Sequence, residues 1–507
     1  MKKIIHLFAI LSLLGISTFT ACGKSESEVT IYPAPGDLSG VQGLEESGVF
    51  DLSVSGKDAF VYRGWEIRDE FEWYGDAGVM VDSPSYNGVS FCAFETTGKC
   101  EIKITTTEVI EHWDLKPTVE GAKKLDDHTI VATIDGPQKL FLSVDLEGNE
   151  EHDYFIISAE SAMDYKVSKK DSSVLYLEKG VHHFGQAWDP FVEGVKTVYL
   201  EPGAVVEATI RSKGKQNISI LGRGVFAQSF VRHAEEVENR QEQEWDADWT
   251  GICLTDSQNI VMEGVWIANS PGYQCEFSNC VNVLTRNVKL TGFGEHNNDG
   301  YHLYGKNITV EDGFVAGNDD RICVTGLYDA DNGDGNLEWD GVIQLIGVPA
   351  ENITIRNMVF AGLHNNGGDI MLTWNGADYC RNVIIEDCKS LFATNKGFLA
   401  SKHGGSAIFD QILIQNIHLY HPVLVTLEVA DGRYMGAGGG AIHNFTLKDI
   451  TIDAEPSEVG LFMNGQNETS DISGFHFINL TANGKKITDL SQTAIEINEF
   501  VSDITFE

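Results

Sequence analysis

Three aspartates, Asp299, Asp319 and Asp320, carry the chemistry most readily read from this chain. They stand in Asn297-Asn298-Asp299-Gly300 and Gly317-Asn318-Asp319-Asp320, on either side of a strand-like segment, Asn307-Ile308-Thr309-Val310. If that segment belongs to one coil of a stacked structure, the step from Asp299 to Asp319 is about one coil and the acids converge on one outer face. Three close carboxylates repel, so one is expected to hold its proton near neutral pH. A protonated carboxyl beside ionised ones is what acid/base cleavage of a glycosidic bond requires.

The elements that must position these acids are short strands at a regular interval. Leu175-Tyr176-Leu177-Glu178-Lys179-Gly180 and Val198-Tyr199-Leu200-Glu201-Pro202-Gly203 are near copies, and a series beginning with Asn217-Ile218-Ser219-Ile220 follows. Asn259-Ile260-Val261-Met262, Asn282-Val283-Leu284-Thr285, Asn307-Ile308-Thr309-Val310, Asn352-Ile353-Thr354-Ile355, Asn382-Val383-Ile384-Ile385 and Asn444-Phe445-Thr446-Leu447 continue it. Most steps correspond to one or two coils of roughly 20 to 30 residues, the range of solenoid repeats. Each unit can bury its apolar face only against its neighbours. Nothing between the strands has a helical period and the leucine-rich signature is absent, so the expected fold is a right-handed parallel β-helix over residues 171–507. The repeated asparagines are expected to hydrogen-bond along a ladder at the turns.

Strands in adjacent coils lie about 4.8 Å apart, so equivalent positions face one sugar bond together. Asp299 and Asp319 meet that condition. Asp320 should face the other way, because successive strand residues alternate; it joins the pair only if the chain bends at Asn318-Asp319.

Upstream, residues 23–170 have a different texture. Runs such as Cys100-Glu101-Ile102-Lys103-Ile104 and Thr129-Ile130-Val131-Ala132-Thr133-Ile134 alternate apolar and polar residues between Gly and Asp, as in an antiparallel β-sandwich. The whole is therefore expected to be all-β. The cluster Trp65, Phe71, Trp73 and Tyr74 is assigned first to the sandwich core or its contact with the next domain, and second to sugar binding. Residues 1–22 read as an export signal: Met1-Lys2-Lys3, an apolar run from Ile4 to Leu14, and Ser17-Thr18-Phe19-Thr20-Ala21-Cys22, which resembles a bacterial lipoprotein signal that leaves lipid on Cys22. The expected location is the bacterial outer membrane, held by that lipid alone. The eight remaining cysteines show no zinc spacing and are expected to be packed; a bridge between Cys92 and Cys100 stays open.

Composition narrows the partners. The 507 residues carry 75 acidic against 36 basic side chains, a formal charge of -39, with no basic cluster beyond the amino terminus. Nucleic acid is excluded as a partner on that field, and a polyanionic substrate is disfavoured. No cofactor or metal is expected. Asp329-Ala330-Asp331-Asn332-Gly333-Asp334-Gly335 has calcium-loop composition without the EF-hand order, so the insert from Leu327 to Gly341 is assigned to a loop walling the cleft.

The run Asn269-Ser270-Pro271-Gly272-Tyr273, with the two acidic stretches after it, resembles the polygalacturonase-type clan of glycoside hydrolases. It departs from the pectin-cleaving family 28 in lacking a GHG-like histidine about one coil after the Asp pair and a following Arg-Ile-Lys triplet. It is more similar to family 49, the dextranase and isopullulanase family, which lacks that histidine and places a β-sandwich before its β-helix. The resemblance implies an inverting mechanism with Asp319 as general acid and Asp299 and Asp320 holding and deprotonating the attacking water. It also implies a polysaccharide substrate with dextran-type linkages; a pectic or other acidic polysaccharide is the second choice and a non-catalytic glycan-binding surface protein the third. Tyr273, His296, Asn318, Arg321, Trp374, Lys402 and His403 are the candidate cleft-lining residues.

Overall fold

The computed structural model describes residues 28–65, 88–149, 152–230, 250–270, 272–292, 298–324, 336–339, 342–345, 349–363, 366–372, 378–392, 394–430 and 438–507. Cys22, Phe71, Trp73, Tyr74, the 329–335 acidic loop, His296 and Trp374 lie outside them. Within the insert, Asn336–Trp339 pairs antiparallel with Val342–Leu345, so part of the expected loop is a hairpin.

The described residues between 28 and 160 build two sheets. In one, Phe50–Val54, Cys100–Thr106 and Thr129–Ile134 pair antiparallel. The other is organised about Val89–Thr96, which runs parallel to His152–Glu160 and antiparallel to its other partners. Strict alternation in Cys100–Thr106 turns Ile102 and Ile104 inward and leaves Glu101 and Lys103 outside. Those inward residues meet Phe94, Leu140, Leu142, Phe155 and Ile157 between the sheets. The second sheet is apolar on both faces. Phe91, Phe141 and Ile156 point away from the sandwich core and pack on Val205, Val225, Trp266 and Phe314, with Phe91 stacked on Trp266 at 4.5 Å between centroids.

From Val174 to Phe506 the described residues wind into a stack of 28 strands, nearly all joined by parallel pairings between successive coils. Three ladders run the length of the stack. The first contains Gln216–Gly222, Gln258–Glu263 and Ala350–Arg356 together with the second halves of Cys275–Arg286 and Tyr301–Glu311. The second contains Val225–Ala227, Trp266–Ala268, Lys289–Thr291, Phe314–Gly317 and Val359–Gly362. The third contains Ile252–Thr255, the first halves of Cys275–Arg286 and Tyr301–Glu311, then Ile322–Val324, Ile370–Leu372 and Leu399–His403. Inward residues of all three, among them Ile220, Phe277, Val310 and Phe360, form one continuous core.

The asparagine series has a backbone cause. Asn217, Asn259, Asn282, Asn307, Asn352 and Asn382 all adopt positive φ, between 54° and 59°, a left-handed conformation that Asn tolerates better than most residues. Their side chains form the expected ladder: from Asn259 to Asn382, each amide Nδ2 donates to Oδ1 of the asparagine one coil earlier, at 2.9 to 3.3 Å, while Asn444 donates to Asp410 instead. A second ladder, unforeseen from the motif, alternates Asp and Asn, as in Asn357 to Asp312 and Asn479 to Asp449. Asn307→Ala is expected to lower unfolding free energy by about 1–2 kcal/mol, from the left-handed backbone and two lost amide bonds; urea titration measures it. All eight described cysteines are free and buried, Cys92 and Cys100 included.

Candidate active site

The acids sit where the chain passes from the second ladder to the third. Phe314–Gly317 leads into Asn318-Asp319-Asp320-Arg321 and then Ile322–Val324. The register Tyr301 opposite Ile322, and Ile322 opposite Ile370, fixes which residues stack. Asp320 is therefore the neighbour of Asp299, and the Gly300 N–H donates to the Asp320 carbonyl at 2.9 Å. This corrects the sequence expectation, which paired Asp299 with Asp319. Strand alternation does not apply because the turn ends only at Ile322; Asp319 occupies the bend, with the Asp320 N–H donating to its Oδ1 at 3.0 Å. The next coil presses against that bend at Gly367, whose φ is +75° and where a Cβ would lie 2.3 Å from the Asp319 carbonyl carbon.

The trio is drawn together by a residue absent from the sequence-based candidates. Lys396 arrives later on the same turn, its Nζ 3.2 Å from Asp320 Oδ1 and 3.9 Å from Asp319 Oδ1. Burial works against its ammonium, but Asp320 and Asp319 outweigh burial and raise its pKa. Asp320 Oδ1 also accepts the Gly368 N–H at 2.7 Å, so it faces two donors, Gly368 N–H and Lys396 Nζ. Asp299 Oδ2 meets His302 Nε2 at 2.9 Å and the Cys323 thiol at 3.3 Å. Burial holds His302 neutral down to about 4, and its Nδ1 hydrogen-bonds the Tyr304 hydroxyl.

Burial, followed by repulsion from Asp320, pushes the Asp299 carboxyl far above its ordinary range; burial, followed by repulsion from Asp299, does the same to Asp319. A shared proton in the group is what mutual repulsion demands. The acids are not spread over an open face, as the stacking argument implied. Asp299 and Asp320 are 5% and 1% exposed, while the Asp319 side chain, at 15%, is the one that solvent reaches best.

The other candidates separate. Tyr273 occupies the row of Asp299 one coil earlier and stacks on His302, with centroids 3.8 Å apart. Asn318 is buried in the acidic turn itself. Arg321 does not line a cleft: its guanidinium is enclosed, with Nε 3.1 Å from Asp369 Oδ1 and Nη1 donating to the carbonyls of Asp319 and Asn366. Burial raises the Asp369 carboxyl to about 6 against the pull of Arg321. His403 is likewise enclosed, bonded to the Ala407 carbonyl at 2.8 Å. Lys402 lies opposite Glu428 near the far end of the third-ladder strand Leu399–His403, away from the turn. Motif spacing gave no signal for Lys396 or Asp369, since both become neighbours only through a register that differs in length from coil to coil. His302 and Cys323 had one: they are the outward residues of the strands that immediately follow the acids.

Comparison with known proteins agrees with this architecture. Residues 203–497 match the sequence model of glycosyl hydrolases family 28. Rhamnogalacturonase A of Aspergillus aculeatus is 22% identical over 201 residues, 40% of this chain, and the match spans only 39% of that protein's length. Dex49A from Penicillium minioluteum superposes with a TM-score of 0.63 at 14% identity over 94% of this chain and 96% of its own. An exopolygalacturonase from Thermotoga maritima gives 0.46 at 14% identity, over 66% and 84%. The sandwich and helix together thus have a counterpart in Dex49A, as the resemblance implied. The sequence model that matches is that of family 28, although the histidine and the Arg-Ile-Lys triplet are missing. With more than half of its residues inside that match, and its acids gathered on two adjacent coils of a parallel β-helix, the chain belongs to glycosyl hydrolases family 28.

Proposed function

We propose that the protein hydrolyses an α-glycosidic bond within a neutral α-glucan of dextran type, with inversion at the anomeric carbon. Asp319 is the general acid: its side chain is the most accessible of the trio. Asp320, which accepts from Gly368 N–H and Lys396 Nζ, and Asp299 hold the attacking water and take its proton. The observation that carries this reading is the single ammonium of Lys396 shared by Asp319 and Asp320, which keeps both acids at one bend of the chain.

The choice of a neutral chain rests on charge. A uronate substrate needs cations to bind it, the formal charge is -39, and Lys396 and Arg321, which border the trio, are engaged by aspartates. A pectic substrate is the second reading, favoured by the family 28 match and the partial likeness to a rhamnogalacturonase. Incubation with dextran, other α-glucans, homogalacturonan and rhamnogalacturonan, with product anomers followed by NMR, tests both. Release from dextran with inverted anomers is expected; release from galacturonans alone would replace the substrate, and retained configuration would refute the mechanism. Export with lipid on Cys22 belongs to the same reading, and Cys22→Ala is expected to shift the protein from the membrane to the soluble fraction.

A further inference from the structure

We propose that Asp299, His302 and Cys323 form a binding site for a borderline-soft divalent cation such as Zn²⁺ or Cd²⁺, and that an ion held there blocks turnover. The donor atoms of these three residues lie within 4.8 Å of one another, and all three side chains are buried. His302 and Cys323 stand opposite each other on adjacent coils of the third ladder, so their side chains leave the sheet on the same side. Both converge on one atom, Asp299 Oδ2, at 2.9 and 3.3 Å.

Oxygen, nitrogen and sulfur from Asp, His and Cys are the ligand types that bind Zn²⁺, and the thiolate favours the softer Cd²⁺ as well. An ion at the point of convergence takes the place of the two hydrogens that now face Oδ2. The Cys323 thiol proton leaves to solvent. With Nε2 bound, the ring proton of His302 sits on Nδ1 and is accepted by the Tyr304 oxygen, an outer partner of the kind that orients metal-binding histidines. The fourth position is left to solvent. An ion there removes the Asp299 carboxylate from water activation. Only this blocking rests on the hydrolase reading; the binding does not.

Titration of the purified protein with Cd²⁺, followed by thiolate-to-cadmium ultraviolet absorption, is expected to show one saturable equivalent. Cys323→Ser should abolish that absorption, while Cys388→Ser, at a remote turn, should leave it intact. His302→Gln, which keeps the thiol, should weaken Zn²⁺ by about tenfold or more in calorimetry. In the parent, activity should fall in step with occupancy and return with a chelator. No saturable absorption, equal absorption in Cys323→Ser, or unchanged Zn²⁺ affinity in His302→Gln would each overturn the site. Full occupancy with undiminished turnover would overturn the blocking.

Discussion

Asp319→Asn is expected to lower kcat by about 10²–10⁴-fold, the range that a positioned general acid supplies, while the protein unfolds at nearly its parental denaturant concentration. The amide has almost the same shape, still accepts the Asp320 N–H, and removes a carboxyl whose repulsion the fold now bears. A catalytic role predicts lost turnover with retained stability; a purely structural role predicts the reverse. The pH profile carries a separate signature. The Asp319 carboxyl is pushed up to about 7 by burial and then by Asp299, so its acid form is depleted as pH rises through that value. Parental kcat should therefore decline on the alkaline side of about 7. Substrates with an activated leaving group need less protonation, and on them Asp319→Asn should recover much of its loss. Equal losses on activated and natural substrates would place Asp319 outside proton transfer.

The stack was legible because its signal is local. A β-branched strand behind an asparagine repeats wherever the first ladder begins, and the positive φ of that asparagine is the reason the residue type recurs. The acids were legible for a similar reason, since Asp299 and the Asp319-Asp320 doublet follow glycine-flanked turns at about one coil. What could not be read was which acid faces which. That depends on a single residue of register at the bend, and register is set by hydrogen bonds from neighbouring coils, such as Gly300 N–H to Asp320 and Arg321 N–H to Gly368. Arg321 illustrates the same limit. Beside two acids it suggested a ligand contact, yet Asp369, supplied by the next coil, captures it inside the wall. Lys396 was missed because its route to the acids crosses two further coils of unequal length.

The largest effect on stability is expected away from the acids, where the two sheet systems meet. Glu160, at the end of the sandwich strand His152–Glu160, is fully enclosed between two cations of the β-helix. Lys289 Nζ lies 2.6 Å from its Oε1 and Arg223 Nε 3.0 Å from its Oε2, while the Tyr32 hydroxyl donates to Oε2 at 3.0 Å. Burial alone would raise the Glu160 carboxyl, but Lys289 and Arg223 prevail and hold it at about 2. Burial pulls Lys289 down more strongly than Glu160 lifts it. The worth of the cluster is therefore better judged by what removal of Glu160 strands than by the pair alone. Glu160→Ala leaves buried Lys289 with no carboxylate and Arg223 with only the longer pairing to Glu95 at 3.6 Å, which costs about 3–5 kcal/mol. Lys289→Met strands no second cation, because Arg223 still neutralises Glu160, so it should cost less. The sign of the pH dependence follows from the depressed carboxyl. Its contribution is present in full above its ordinary value of 4.5 and is lost as pH falls through about 2. Urea unfolding at pH 7 should find the parent most stable, Lys289→Met next and Glu160→Ala least stable; equal losses in the two variants would show that the carboxylate is not the centre of the joint.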